Sequence, residues 1–206
     1  TLPLLSVDDL KCFYADLSAY AKKVTAIAYI RDPVSYISSM FAQNVHGGVY
    51  PRVVKPFYRE KFEKFIVLLG RTNVEFRVYD KRQLVGGSSV SDFYDAIGIS
   101  IDEMAVQRTN LRLSLQTLQC LNCLNQSPIT LIGMAPFTNA RNQLIGTLNK
   151  EYHTPFDLSA SSVASYMDHD DIGWMETISG FSLAPVEELG GHEEDDPETI
   201  LQSVRQ

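Results

Sequence analysis

Residues 24–41 read VTAIAYIRDPVSYISSMF, and the pattern changes character halfway along. Val24 to Ile30 is apolar almost throughout, which predicts a strand covered on both faces, as in a parallel sheet. Arg31 stands where that strand should end. Asp32-Pro33 breaks the run, and Pro33 suits the first turn of a following helix because its fixed φ and missing N–H cost nothing there. Val34, Ile37 and Phe41 form the apolar stripe of that helix, and Ser39 lies roughly opposite to it. A charged side chain therefore sits at a strand tip, with a hydroxyl eight residues later on the next helix.

The pattern repeats outward from this stretch. On the N-terminal side, Ser6 and Asp9 have capping-box spacing, and Leu10, Phe13, Leu17 and Tyr20 recur at helical period. On the C-terminal side, residues 44–55 contain Gly47-Gly48 and Pro51 and read as a loop. A helix from about Pro56 carries Tyr58, Phe62, Phe65, Ile66 and Leu69, and Gly70 stops it. A strand follows over 73–79, with Val74, Phe76 and Val78 alternating with Glu75, Arg77 and Tyr79. Ser89 and Asp92 are candidate caps for a short helix ending at Gly98. Helices are expected over about 111–125, 136–152 and 170–179. The fold class expected is α/β: a partial, P-loop-like parallel sheet flanked by helices, with a mainly helical C-terminal half. No domain boundary stands out, so residues 1–185 read as one domain. Residues 186–206, with Glu187-Glu188 and Glu193-Glu194-Asp195-Asp196, read as a solvated acidic tail with a weak terminal helix.

Bulk properties narrow the function. The chain has 206 residues and a formal net charge of −7, which disfavours nucleic acid and anionic membranes as partners. No apolar run reaches the length of a membrane span. Three cysteines do not suggest a disulfide framework, and a cytoplasmic setting is expected. Cys120 and Cys123 spell C-x-x-C, but inside a Leu-rich helix they read as small hydrophobes. Asp168-His169-Asp170-Asp171 suits the N-terminus of a helix better than a metal site.

In an open α/β sheet, ligands bind beyond the carboxyl ends of the strands. A guanidinium there can grip a phosphate with two parallel hydrogen bonds, and Ser39 can add a hydroxyl. The plain alternative is that Arg31 is solvated or paired with Asp32 and that Ser39 merely faces solvent.

YIRDPVSYISSMF, residues 29–41, resembles the 3′-phosphate-binding segment of sulfotransferases that use 3′-phosphoadenosine 5′-phosphosulfate (PAPS). FEKFIVLLGRTNVEFRVYDKRQLVGGSSVSDFYDAIGI, residues 62–99, is similar to the pattern of bacterial sulfotransferase-like proteins, and NLRLSLQTLQCLNCLN, residues 110–125, resembles their next helix. The resemblance covers about residues 20–125. It implies that Arg31 and Ser39 hold the 3′-phosphate and that Asp92 and Phe93 occupy structural positions. It also implies PAPS as co-substrate with no metal, and a carbohydrate acceptor in envelope or capsule synthesis. The chain departs from the family in two places. The family's Gly- and Ser/Thr-rich 5′-phosphosulfate loop would precede residue 1, so weak binding of adenosine 3′,5′-bisphosphate is expected of this chain. Asn110-Leu111-Arg112 replaces the family's Asn-x-Ser, and Arg112 becomes a further candidate nucleotide contact. Sulfuryl transfer also calls for a base to deprotonate the acceptor, and His46, in the loop after the Ser39 helix, is the nearest histidine. An exposed loop histidine is its alternative role. A noncatalytic, degenerate binding module is the rival function, and an α/β enzyme for another phosphorylated ligand is a third.

Overall fold

Two short apolar runs find each other in this chain. Ala26–Ile30 (β1) pairs in parallel with Val74–Val78 (β2), with Ala26 opposite Val74, Tyr29 opposite Arg77 and Ile30 opposite Val78. A computed structural model of the chain describes residues 2–100, 112–126, 135–184, 197 and 199–201. Its helices are Val7–Ser18 (α1), Pro33–His46 (α2), Tyr58–Leu69 (α3), Ser89–Ala96 (α4), Leu115–Asn125 (α5), Ala135–Glu151 (α6), Ala160–Val163 (α7) and His169–Ser179 (α8). The protein is thus mixed α/β, with helices flanking a small two-stranded parallel sheet and a largely helical C-terminal half. No helix among the described residues is long and apolar enough to cross a membrane.

The described residues fall into two compact units, each discontinuous in sequence. The first takes Thr1–Asp32, Phe57–Gln107 and Asp168–Ala184; the second takes Pro33–Pro56, Arg108–Met167 and Pro185–Gln206.

The first unit is built on the pleat of the sheet. Alternation sends Ala26, Ala28 and Ile30 of β1 and Val74 and Phe76 of β2 to one face. There they meet Phe62 and Phe65 of α3, Leu10 of α1 and Met175 of α8. Phe62 and Phe76 meet edge to face, centroids 5.8 Å apart. Of the β1 residues only Ile30 is fully buried, so the expected cover on both faces is incomplete. Ser6 caps α1 as its spacing predicts, accepting a hydrogen bond from Asp9 N–H at 3.1 Å.

The N-terminus of α3 is closed by a side chain of α8, and the C-terminus of α8 by Arg71, two residues after α3. Phe57, at the N-cap of α3, has a left-handed backbone (φ 49°) and offers no polar side chain. The free N–H groups of Tyr58 and Arg59 donate instead to the Asp171 carboxylate of α8, both at 2.7 Å. At the other end, the Arg71 guanidinium donates through Nε and Nη2 to Ile178 O, in the last turn of α8, at 3.0 and 2.6 Å. A carboxylate therefore sits at a helix N-terminus and a guanidinium at a C-terminus, each at the end its charge favours. Asp168 caps α8 itself, accepting from Asp171 N–H. The acidic run 168–171 is thus engaged in helix ends, and among the described residues no group of three or more His, Cys, Asp or Glu is placed to hold a metal ion.

The second unit is helix on helix. Val34, Ile37, Phe41 and Val45 form the buried stripe of α2 and pack with Leu118 and Leu121 of α5, Phe156, Leu158 and Val163. Ile200 and Leu201, each 1 % exposed, complete this core, and Gln119 Nε2 donates to Ile200 O at 3.0 Å. Within the stretch expected as a solvated tail, 186–206, Ile200 and Leu201 are thus buried. The acidic run itself, 187–196, lies outside the described residues. Cys120 and Cys123 are free, and the expectation that both are buried is also corrected. Cys123 is exposed, because Leu118 and Leu121 occupy the buried side of α5.

Candidate functional site

Arg31 directly follows β1, at the carboxyl end of the strand, in the first unit. Its backbone is pinned, since the Tyr58 hydroxyl donates to Arg31 O at 2.6 Å. Its side chain lies over the Tyr79 ring, with Cζ 4.4 Å from the centroid. Tyr79 ends β2 in the same way, and its N–H donates to Ile30 O at 2.7 Å. Among the described residues no ion pair involves Arg31, so the expected alternative of a pair with Asp32 is not what the geometry holds. Stacking uses the face of a guanidinium and leaves its in-plane N–H donors free for an oxyanion.

Behind Tyr79 lies a polar cluster built around a buried carboxylate, on the sheet face opposite the apolar core. The Tyr79 and Tyr29 rings are nearly perpendicular, at 86°, with centroids 6.4 Å apart. The Tyr29 hydroxyl donates to Asp92 Oδ2 at 2.8 Å. Arg77, register partner of Tyr29, grips the same carboxylate through Nε at 2.6 Å and Nη2 at 3.1 Å, and Val85 N–H donates to Oδ1 at 3.1 Å. Arg77 Nη1 also donates to Glu75 at 2.6 Å. Asp92 is 2 % exposed. Burial alone would raise its carboxyl pKa; the bonds from Arg77, Tyr29 and Val85 outweigh that and hold it below the ordinary carboxylate value. Burial, and then the bond to Asp92, push the Tyr29 hydroxyl above the ordinary tyrosine value. The bonds to Asp92 and Glu75 raise the Arg77 guanidinium further. All three groups thus keep their ordinary charge states near neutrality. Asp92 was expected as a cap of α4; Ser88 takes that place, accepting from Val90 N–H, and the Asp92 carboxylate turns to the sheet.

Ser39 belongs to the second unit, on α2, and is half-buried. Its neighbour Ser38 is the buried one, accepting from Leu158 N–H at 3.0 Å. Arg31 and Ser39 are therefore members of different units. His46 is the last residue of α2 and is exposed; its carbonyl, together with Val45 O, accepts from the Arg141 guanidinium at 2.9 and 3.0 Å. Burial holds Arg141 below its ordinary pKa. Arg112, expected as a further nucleotide contact, pairs with Asp157 at 2.6 Å, which occupies its charge.

The Tyr29–Asp92–Arg77 cluster was not found from the sequence. Its signal was present as Tyr29 within an apolar strand and Arg77 on the polar phase of an alternating one, but the partner on α4 is 63 residues from Tyr29. Comparison of the chain with protein-family models, with curated proteins and with solved structures finds no match to any of them.

Proposed function

We propose that this chain is part of a sulfotransferase-like protein that binds PAPS through its 3′-phosphate and transfers the sulfuryl group to a carbohydrate hydroxyl. One observation carries the reading. Arg31 presents a guanidinium at the carboxyl end of a parallel strand, stacked on Tyr79 and outside every ion pair of the described residues. Ion-paired arginines at structural positions look different, as Arg77 does with Asp92. The remaining support is the order and spacing of the sequence motifs that resemble the family.

The 3′-phosphate is the discriminating group. Adenosine 3′,5′-bisphosphate and adenosine 5′-phosphate, titrated against the labelled chain by NMR, should shift the Arg31 Nε–Hε resonance unequally, the bisphosphate binding at least about tenfold tighter because one charged hydrogen-bond set is added. Arg31→Ala should cost the bisphosphate about 2 kcal/mol, roughly thirtyfold, and leave the monophosphate unchanged. Equal affinity for the two nucleotides, or an Arg31→Ala variant as tight as the parent, refutes the reading.

A further inference from the structure

The free guanidinium of Arg31 does not float. It is the last member of a chain of contacts that starts at a buried carboxylate, and every member lies in the first unit. Asp92 receives four hydrogen bonds, three of them from Arg77 and Val85, so its position is fixed by groups on β2 and the 85–87 turn. The bond from the Tyr29 hydroxyl at 2.8 Å fixes where that ring points. The Tyr29 ring in turn stands perpendicular to Tyr79, an arrangement aromatic quadrupoles favour. The Tyr79 face then carries Arg31 at 4.4 Å. At the backbone, Tyr58 holds Arg31 O and Ile30 O holds Tyr79 N–H, so both ends of the stack are tethered.

We propose that Asp92, Tyr29 and Tyr79 are positioning residues for Arg31: together they set the plane of its guanidinium, so that its in-plane donors are preorganised for a phosphate monoester. The proposal rests on the reading of Arg31 as a phosphate ligand and adds what makes it one. A long, freely rotating arginine loses side-chain entropy when it captures an anion. An arginine already stacked has lost part of that freedom beforehand, and its fork needs no reorientation.

The test separates positioning from folding and from the ligand. The 15N relaxation of Arg31 Nε–Hε is recorded without ligand in the wild-type chain and in Tyr79→Leu, Tyr79→Phe and Tyr29→Phe. Tyr79 is 39 % exposed, so leucine is tolerated there. Tyr79→Leu should free the guanidinium, dropping its heteronuclear NOE, and weaken adenosine 3′,5′-bisphosphate binding roughly three- to tenfold, the range for losing one stacking contact. Tyr79→Phe keeps the aromatic face and should restore both. Tyr29→Phe keeps the ring but drops its tie to Asp92, and should give a partial loss of order at Arg31. Relaxation in Tyr79→Leu identical to wild type, or Tyr79→Phe as damaging as leucine, overturns the proposal. Relaxation changes in the expected order, with no nucleotide bound by the wild-type chain, remove the phosphate reading while the positioning stands.

Discussion

At the residue scale, one carboxylate shows how a charge is kept in a small sheet. Asp92 is buried, and its cost of desolvation is offset only because two arginine N–H groups, a hydroxyl and a backbone N–H converge on it. Removing it strands Arg77, whose side chain is 24 % exposed and which keeps Glu75. Asp92→Ala should therefore cost about 3 kcal/mol, near the lower end for breaking a buried pair. Hydrogen exchange of β1 and β2 amides measures this, and an unchanged protection would contradict it. The pH dependence has two legs of opposite sign. The depressed Asp92 carboxyl contributes stability that is present above the unfolded carboxylate value, about 3.9, and is lost as pH falls below it through the folded value. The raised Tyr29 hydroxyl contributes stability present below about 10, the unfolded tyrosine value, and lost as pH rises above it. Protection of β1 should be flat between those limits with respect to this cluster. Asp92→Asn should flatten the acid leg, and Tyr29→Phe the alkaline one.

At the element scale, local chemistry was readable and long-range chemistry was not. The stripe Tyr58, Phe62, Phe65, Ile66, Leu69 with Gly70 behind it predicts a helix from about 56, and α3 runs Tyr58–Leu69 with Gly70 at φ 80° donating to Ile66 O. Both strands were located to within two residues at each end, because alternation and apolar runs are properties of adjacent residues. α7 was missed; at four residues it is too short to show a period. The site was legible only as far as Arg31, which a strand end marks. Tyr79 beneath it, and Asp92 behind that, are placed by tertiary packing and carry no local signal. The same limit hid the capping of α3. Phe57 is a poor N-cap by type, and nothing near it compensates; Asp171 does, from 113 residues away in the case of Tyr58. Asp171→Ala leaves two N–H groups without their acceptor and should cost about 1–2 kcal/mol, the upper range for a lost cap. Asp171→Asn keeps one acceptor oxygen and should cost less. Exchange rates of the Tyr58 and Arg59 amides give the readout, and equal rates in Ala and wild type would show that the cap contributes nothing.

At the scale of the whole molecule, no boundary stands out in the sequence over 1–185, and the described residues form two compact units. The chain passes between them five times, and three of those passages fall beside a proline: Asp32 to Pro33, Pro56 to Phe57, Ala184 to Pro185. Proline punctuates ordinary loops in the same way, so these passages look no different from turns within a unit. The end of the chain carries the sharper lesson. A run of acidic residues dominates the composition of the last stretch, and the weak terminal helix read after it gave no sign of burial. Yet Ile200 and Leu201 are each 1 % exposed, as Val34 of α2 is, and Ile200 is held by Gln119 of α5 through its carbonyl. Core position, not composition, decides their weight. Each removes a branched side chain from the same cluster as Phe41, Val45, Leu118 and Leu121. Truncation to alanine should therefore destabilise the second unit by about 2–5 kcal/mol at either position, as for other large-to-small core changes. Ile200→Val, which deletes one methyl group, should cost about 1 kcal/mol. Gln119→Leu tests the carbonyl contact, because it removes the bond to Ile200 O while leaving the Ile200 and Leu201 side chains in place. Exchange of the α2 and α5 amides follows all four variants, and α2 and α5 protected as in wild type after Ile200→Ala and Leu201→Ala would return these residues to the solvated tail their surroundings suggest.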